Sequence, residues 1–195
     1  MLLRLAVLLY LVIRYPGLNA GFVMEIDSGN WKLRSWHLED VGSLVEHANN
    51  RKIWLNLRDQ FPHPYTQIDA ESWVQTALAA RPETSFAIDV GGKSVGGIGF
   101  RLQADVERFS AEVGYWLGEE FWGRGVGTAA LKAATQYAIR AYRLNRIFAL
   151  PFEGNIASMR VLEKAGYIKE CPLRKSAYKN GQFVDQVLYA YIVEK

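Results

Sequence analysis

The chain has 195 residues, half of them apolar, 22% charged and 13% aromatic, with a formal net charge of +3. That length suits one domain able to bury roughly 70% of its unfolded surface, and a single cysteine, Cys171, excludes an internal disulfide framework and points to a reducing, cytoplasmic location. No Cys/His cluster has metal-ligand spacing and no basic block is longer than Arg174-Lys175, so neither a metal nor a nucleic-acid partner is expected, while a small anionic ligand stays compatible.

At the N-terminus, Met1-Leu-Leu-Arg4 leads into nine apolar residues, 5–13, before Arg14 and the breaker Pro16-Gly17. Nine helical residues cover about 14 Å of a hydrocarbon core of about 30 Å, so no membrane span is expected. A cut after Ala20 would put Leu18 three positions before the cleavage point, where a signal peptide needs a small residue. Residues 1–23 therefore read as a short apolar leader, or as sequence ahead of a true start at Met24, with the domain at 24–195.

From residue 30 onward the elements alternate. Residues 31–36 read as a strand, and 38–49 as a helix with Val41, Leu44, Val45 and Ala48 on one face. A second helix is expected near Thr66, where Thr66-Gln-Ile-Asp69 has the capping-box spacing and Trp73, Val74, Ala77 and Leu78 continue the period. Between them, Phe61-Pro-His-Pro-Tyr65 must be a loop, and its aromatics either plug the core or wall a binding site. Strands at 85–90 and 94–102 are joined at Gly91-Gly92, and a third follows at 111–117. The strongest helix, 128–142, carries Leu131, Ala134, Thr135, Ala138, Ile139 and Tyr142 on one stripe. A strand at 146–152, a short helix at 156–165 and two strands hinged at Asn180-Gly181 close a single α/β domain.

The segment Trp122-Gly-Arg-Gly-Val-Gly-Thr128 lies between a strand and that helix. Free amides and the positive helix end would converge there on an anion. A Walker loop needs Gly-Lys followed by Ser or Thr, and the dinucleotide fingerprint needs glycine where Thr128 or Ala130 stands, so neither nucleotide motif fits. Alone, the three alternate glycines indicate a pyrophosphate cradle or a tight turn.

About thirty residues downstream lies Asn155-Ile-Ala-Ser158, running to Leu162-Glu-Lys-Ala-Gly166-Tyr167. With the glycine loop it resembles motifs A and B of the GNAT superfamily of acyl-coenzyme A transferases. Leu33-Arg-Ser-Trp36 with Asp40, the Pro-His-Pro-Tyr loop, Gly114-Tyr-Trp116, Trp-Gly-Arg-Gly and Asp185-Gln-Val-Leu-Tyr189 resemble, more narrowly, the RimJ/RimL-like branch. The resemblance covers residues 30–193 in order and implies a GNAT-like mixed, mostly antiparallel sheet flanked by helices. It also implies transfer of an acetyl group from acetyl-coenzyme A to a primary amine, either a protein N-terminus or a small molecule, and allows a homodimer. The rival reading is a coenzyme A-binding sensor or assembly module that performs no transfer.

Carried over residue by residue, the resemblance implies that Trp122, Gly123, Arg124, Gly125, Val126, Gly127 and Thr128 hold the pyrophosphate, with Arg124 adding charge. Trp122 stands where the wider family has Gln or Arg. The pantetheine arm would run along the strand bearing Tyr115, Trp116 and Leu117, whose amides also offer an oxyanion donor, and Asn155 and Ser158 would face the cofactor from the other side. Glu112 is the expected base, a carboxylate on a buried strand sharing a face with Gly114 and Trp116. The alternative for Glu112 is an ion pair with Lys or Arg, that for Asn155 a helix N-cap, and that for Ser158 a solvated first-turn serine. Many relatives place a tyrosine where this chain has Leu162, which leaves Ser158 as the hydrogen-bond donor to the departing thiolate, and Ala177 stands where some carry a second glutamate. Phe61, His63, Tyr65, Tyr178 and Asp185 are candidate acceptor contacts. His37 and His47 read as solvated, and Cys171 as a buried strand-edge thiol.

Overall fold

The computed structural model describes residues 25–194; the leader at 1–23 and the start at Met24 lie outside them. The strands are β1 (Glu25–Asp27), β2 (Lys32–Arg34), β3 (Ser85–Val90), β4 (Lys93–Leu102), β5 (Ser110–Leu117), β6 (Arg146–Ala149), β7 (Ile168–Lys179) and β8 (Gln182–Ile192). The helices are α1 (Val41–Ala48), entered through a tight turn at Leu38–Asp40, α2 (Arg51–Trp54), α3 (Gln67–Ala79), α4 (Val126–Ala141) and α5 (Ile156–Lys164). Among the described residues eight strands join one sheet, ordered β1-β2-β3-β4-β5-β6-β8-β7, in which only β5 and β6 run parallel.

Strand alternation divides the core in two. Phe86 and Ile88 of β3 join a large core with Leu131, Ala134 and Ala138 of α4 and Leu162 of α5. Ala87, between them, joins a smaller core with Trp36, Leu44, Tyr65, Val74 and Ala77. The sheet is thus mixed, mostly antiparallel and covered by helices on both faces, as the sequence reading anticipates.

Thr66 caps α3 through the expected box, its hydroxyl accepting from the Asp69 N–H while Asp69 accepts from the Thr66 N–H. The buried face of α3 is nevertheless Ala70, Val74 and Ala77, with Trp73 41% and Leu78 38% exposed. The Leu33-Arg-Ser-Trp36 segment works through Arg34. Its buried guanidinium bonds both oxygens of Asp40 at 2.7 and 2.8 Å and Asp89 at 2.8 Å, tying β2 to β3 and to the start of α1. One turn, α2, has no sequence signature because four residues are too few to show a period; it starts where the Asn50 side chain accepts from the Lys52 N–H. No helix among the described residues is long and apolar enough to cross a membrane.

Candidate active site

Strands β5 and β6 pair only from Ser110 with Arg146 to Glu112 with Phe148, and then separate. The chain after β6 is held by β8 instead: the Val187 N–H donates to the Pro151 carbonyl, Gln186 Nε2 to the Leu150 carbonyl, and the Glu153 N–H to the Asp185 carbonyl. Pro151 has no N–H to offer β5. The expected strand at 146–152 therefore ends at Ala149. Residues 113–117 of β5 stay paired with β4 on one side and present an open backbone edge on the other, able to accept an extended polar ligand as an added strand.

The turn after β5 is pinned from the α1–α2 side. His47 is buried, its Nδ1 3.2 Å from Glu120 Oε1 and its ring edge-on to Phe121 at 5.6 Å. The expectation that His47 is solvated is thus corrected: α1 turns it onto this turn rather than to water. Asn50 Nδ2 donates to Glu119 at 2.8 Å, and Lys52 pairs with the same carboxylate. The indole N–H of Trp122 donates to the Leu117 carbonyl at 2.7 Å, closing the turn.

Beyond it the backbone takes the left-handed conformation at Gly123 (φ 72°) and Gly125 (φ 81°), and α4 begins one residue later without a side-chain cap. The amides of residues 123–128 find no acceptor among the described residues. A Cβ built at Gly123 or Gly125 would meet nothing within 4 Å, so the loop faces open space. A row of unpartnered N–H groups at the positive end of a sixteen-residue helix fits a pyrophosphate.

The two candidate catalytic side chains lie on opposite faces of β5. Glu112 points to the α1–α3 layer, buried, and both its oxygens are engaged: Arg58 Nη2 lies 2.5 Å from Oε1, and Arg101, its partner across the β4–β5 ladder, bonds Oε2. The ion-pair alternative is therefore what Glu112 adopts in this structure, with two arginines rather than one. On the other face Tyr115 reaches α5, its hydroxyl 2.8 Å from Ser158 Oγ. Burial pushes the Tyr115 hydroxyl up to about 12, against a smaller downward pull from Ser158. Ser158 is half-buried and engaged rather than solvated. Asn155 does cap α5, its side chain accepting from the Ser158 N–H at 3.0 Å.

One cavity of about 1390 Å³ joins these parts. Its lining takes in Glu112 with Arg58, the aromatics Phe61, Tyr65 and Trp73, and, with the loop glycines and Thr128, the cations Lys132 of α4 and Arg160 and Lys164 of α5. Tyr115, Trp116, Leu117, Trp122, Asn155 and Ser158 line it as well. Phe61 stacks between Tyr65 at 4.8 Å and Trp116 at 5.6 Å, so the loop aromatics both fill the smaller core and wall the site.

Several candidates fall outside this lining. Arg124 lies over the Phe121 ring at 5.6 Å, and Val126 packs into the larger core. His63 is exposed beside Trp54. Tyr178, 60% exposed, packs on Phe183, and Asp185 accepts from the Lys175 N–H at 2.7 Å, holding the closing hairpin in register. What this hairpin contributes instead is Lys179, buried, 2.6 Å from Asp59 and 3.9 Å above the Trp54 ring, which fastens it to the loop after α2. Arg58 and Arg101, absent from the sequence reading, carry no local signal: one sits in an aperiodic segment, and the other meets Glu112 only through strand register.

A family model described as the acetyltransferase (GNAT) domain matches residues 31–168. The chain belongs to the GNAT acetyltransferase family. Among curated proteins it is 37% identical over 98 residues to the uncharacterized N-acetyltransferase YoaA of Bacillus subtilis (strain 168), covering 50% of this chain and 55% of that one. It is 32% identical over 85 residues to the ribosomal-protein-serine acetyltransferase of Escherichia coli (strain K12), covering 44% and 48%. To the spermidine N(1)-acetyltransferase of the same strain it is 24% identical over 153 residues, covering 78% and 80%. The chain spans about half the length of the first curated relatives it matches. Its fold is that of Mycobacterium smegmatis RimJ, solved in complex with CoA-disulfide, with a TM-score of 0.77 at 23% identity over 87% of this chain and 86% of that one. In this GNAT chain Leu162, at the position where the resemblance implies tyrosine in many relatives, is wholly buried in the larger core, so Tyr115 is the phenol that reaches Ser158.

Proposed function

We propose that this GNAT chain transfers an acetyl group from acetyl-coenzyme A to a primary amine by direct attack in a ternary complex. The observation that supports it most is the single cavity running from the unpartnered amides of 123–128, through the gap between β5 and β6, to the carboxylate of Glu112. Acetyl-coenzyme A supplies the thioester carbonyl that the amine attacks and the thiol that leaves. The loop amides with Lys132, Arg160 and Lys164 match its pyrophosphate and phosphate charge, and the open edge at 113–117 matches the amides of an extended arm. Cys171, expected to be buried, is half-buried because β7 is the sheet's edge strand among the described residues; as the single cysteine it accords with a reducing, cytoplasmic location. The acceptors in the names of the Escherichia coli relatives are a ribosomal protein and spermidine, one a protein and the other a small-molecule amine. A protein N-terminus and a small amine are accordingly the two acceptor classes for this chain.

In this reading Glu112 takes the proton that leaves the attacking nitrogen. Each of its oxygens accepts one guanidinium bond in the resting state and keeps a second lone-pair site. Ser158 serves the opposite end of the reaction. The Tyr115 hydroxyl, kept protonated by burial, lies 2.8 Å from Ser158 Oγ, either oxygen able to donate, and 3.2 Å from the Ser158 carbonyl, to which it donates, so it holds the serine hydroxyl in place for a departing thiolate. The C–N bond forms as the C–S bond breaks, the amine proton going to Glu112 and a serine or water proton to sulfur.

The test is release of free thiol from acetyl-coenzyme A over a panel of peptides and amines, with the acetylated product identified by mass. Glu112→Gln should keep cofactor binding and lower kcat by about 10²- to 10⁴-fold, the range of a lost general base. Cofactor binding with no thiol release for any amine would favour the non-catalytic coenzyme A-binding module. An unchanged kcat and pH profile in Glu112→Gln would move the base to water or a backbone carbonyl.

A further inference from the structure

We propose that Arg58 and Arg101 select an acceptor whose amine lies a few atoms from a carboxylate, such as an acidic peptide N-terminus or an amino acid, and that this carboxylate frees Glu112 to act. The inference rests on the transferase reading of the same cavity.

Charge and exposure carry it. The Glu112 side chain is 11% exposed, whereas those of Arg58 and Arg101 are 52% and 66% exposed, so the carboxylate lies at the bottom of the pair and the guanidiniums face outward. A guanidinium has five N–H donors in a planar fork, and each of these arginines spends one on Glu112 and none on another described residue. The remaining donors suit bidentate binding of a second carboxylate.

Two other charges of the lining are already committed. Lys52 pairs with Glu119, and Asp69 closes the capping box with Thr66. Around Glu112 itself two guanidiniums meet one carboxylate, a local excess of positive charge, while Asp69, the other carboxylate of this lining, is not paired with a cation among the described residues and is turned to the Thr66 N–H and hydroxyl at the start of α3. Among the acceptor classes, the anion-bearing amine therefore fits and the polycation does not.

The backbone divides the work between the two arginines. Arg101 is held opposite Glu112 by the β4–β5 register, whereas Arg58 comes from the irregular segment between α2 and α3. Arg58 is the one placed to exchange Glu112 for an incoming carboxylate. That exchange returns an Oε1 lone pair to the amine whose proton Glu112 must accept.

The experiment compares matched acceptors: peptides beginning Asp or Glu against the same peptides beginning Asn or Gln, free aspartate against asparagine, and spermidine. Wild type should favour the acidic member of each pair at least about tenfold in kcat/KM, through a lower KM from the added carboxylate contact and a higher kcat from the freed Glu112, with spermidine poorest. The peptide and free amino-acid pairs distinguish the two sources of the carboxylate. Arg58→Gln should bring the acid-to-amide ratio towards one, and Arg58→Lys should restore part of it. Equal rates on acids, amides and spermidine, or an Arg58→Gln variant that slows both members of a pair alike, would overturn the inference and leave the transferase reading standing. Calorimetric titration of the same ligands into the coenzyme A complex supplies a readout without turnover. Preferential binding of acidic ligands, lost in Arg58→Gln, upholds the selection even if no amine is acetylated, and absence of both turnover and preference overturns both readings.

Discussion

Gly125 and Gly127 lie two residues apart in one loop, yet a side chain acts differently at each. At Gly125 the φ of 81° strains any L-residue, so Gly125→Val would disturb the turn as well as the ligand. Gly127 lies in the first turn of α4 with helical backbone, and a Cβ there only reaches van der Waals contact with Leu117 at 4.0 Å. Gly127→Val therefore adds bulk over the open amides while the fold persists. It should weaken acetyl-coenzyme A binding by about tenfold or more with an unchanged circular dichroism spectrum, and an unaltered Kd in calorimetry would remove the pyrophosphate from this loop. At the other end of the reaction, Ser158→Ala should lower kcat less than Glu112→Gln, because water can protonate a thiolate whose ordinary pKa is about 8.5. Tyr115→Phe combined with Ser158→Ala should cost no more than the serine change alone, since Tyr115 acts through that hydroxyl. Additive losses in kcat would give Tyr115 a separate role.

The link between β2, β3 and the entry to α1 is ionic, and its pH dependence has a definite sign. Burial alone would raise the Asp40 carboxyl, but hydrogen bonds from Arg34 and from the His37 N–H outweigh it and hold Asp40 below its ordinary value of 3.8. A depressed carboxylate stabilises the fold fully above its unfolded pKa and loses that contribution as pH falls through the folded one. Wild type should thus lose urea resistance below about pH 4, and Asp40→Asn should lose less over the same interval. At neutral pH Asp40→Asn removes one of the two carboxylates on the buried guanidinium, leaving Asp89, and should cost about 1.5–3 kcal/mol; a parallel decline of both proteins in acid would place the sensitive carboxylate elsewhere. On α5, Asn155→Ala should cost about 1 kcal/mol as a lost cap and Asn155→Ser should restore it. A serine variant that is stable yet binds acetyl-coenzyme A poorly would show that Asn155 also touches the cofactor.

The described residues, 25–194, by themselves supply two hydrophobic cores, an eight-stranded sheet and the cavity. A chain starting at Met24 is accordingly expected to fold, melt cooperatively and bind acetyl-coenzyme A with the affinity of the longer chain. Aggregation or weakened binding of that shorter chain would assign residues 5–13 a packing role. In the proposed function the two faces of the sheet divide the work: one carries Glu112 under the α1–α3 layer, the other packs against α4 and against α5 with Ser158, and the β5–β6 gap joins them. Anything that zipped that gap shut would separate cofactor from acceptor while leaving both cores intact.

Elements with their own local signal were legible in the chain alone. The capping box at Thr66, the Gly91-Gly92 and Asn180-Gly181 hairpins, the α4 stripe and the glycine loop depend on residues near one another in sequence, where propensity and periodicity act directly. The family resemblance added the order of the motifs and the expectation that the glycine loop holds a pyrophosphate. Features that join distant segments were not legible, because contacts of high sequence separation leave no periodic trace. Arg58 meets Glu112 across fifty-four residues, and Lys179 meets Asp59 across 120. His47 is buried because a turn seventy residues away closes over it, and β6 stops at Ala149 because β8, not β5, supplies partners for Leu150 and Pro151. Glu112 illustrates the division: its place on a strand followed from alternation, whereas its double ion pair, and hence the charge that an acceptor meets, arose only when β4 and the loop after α2 were folded onto it.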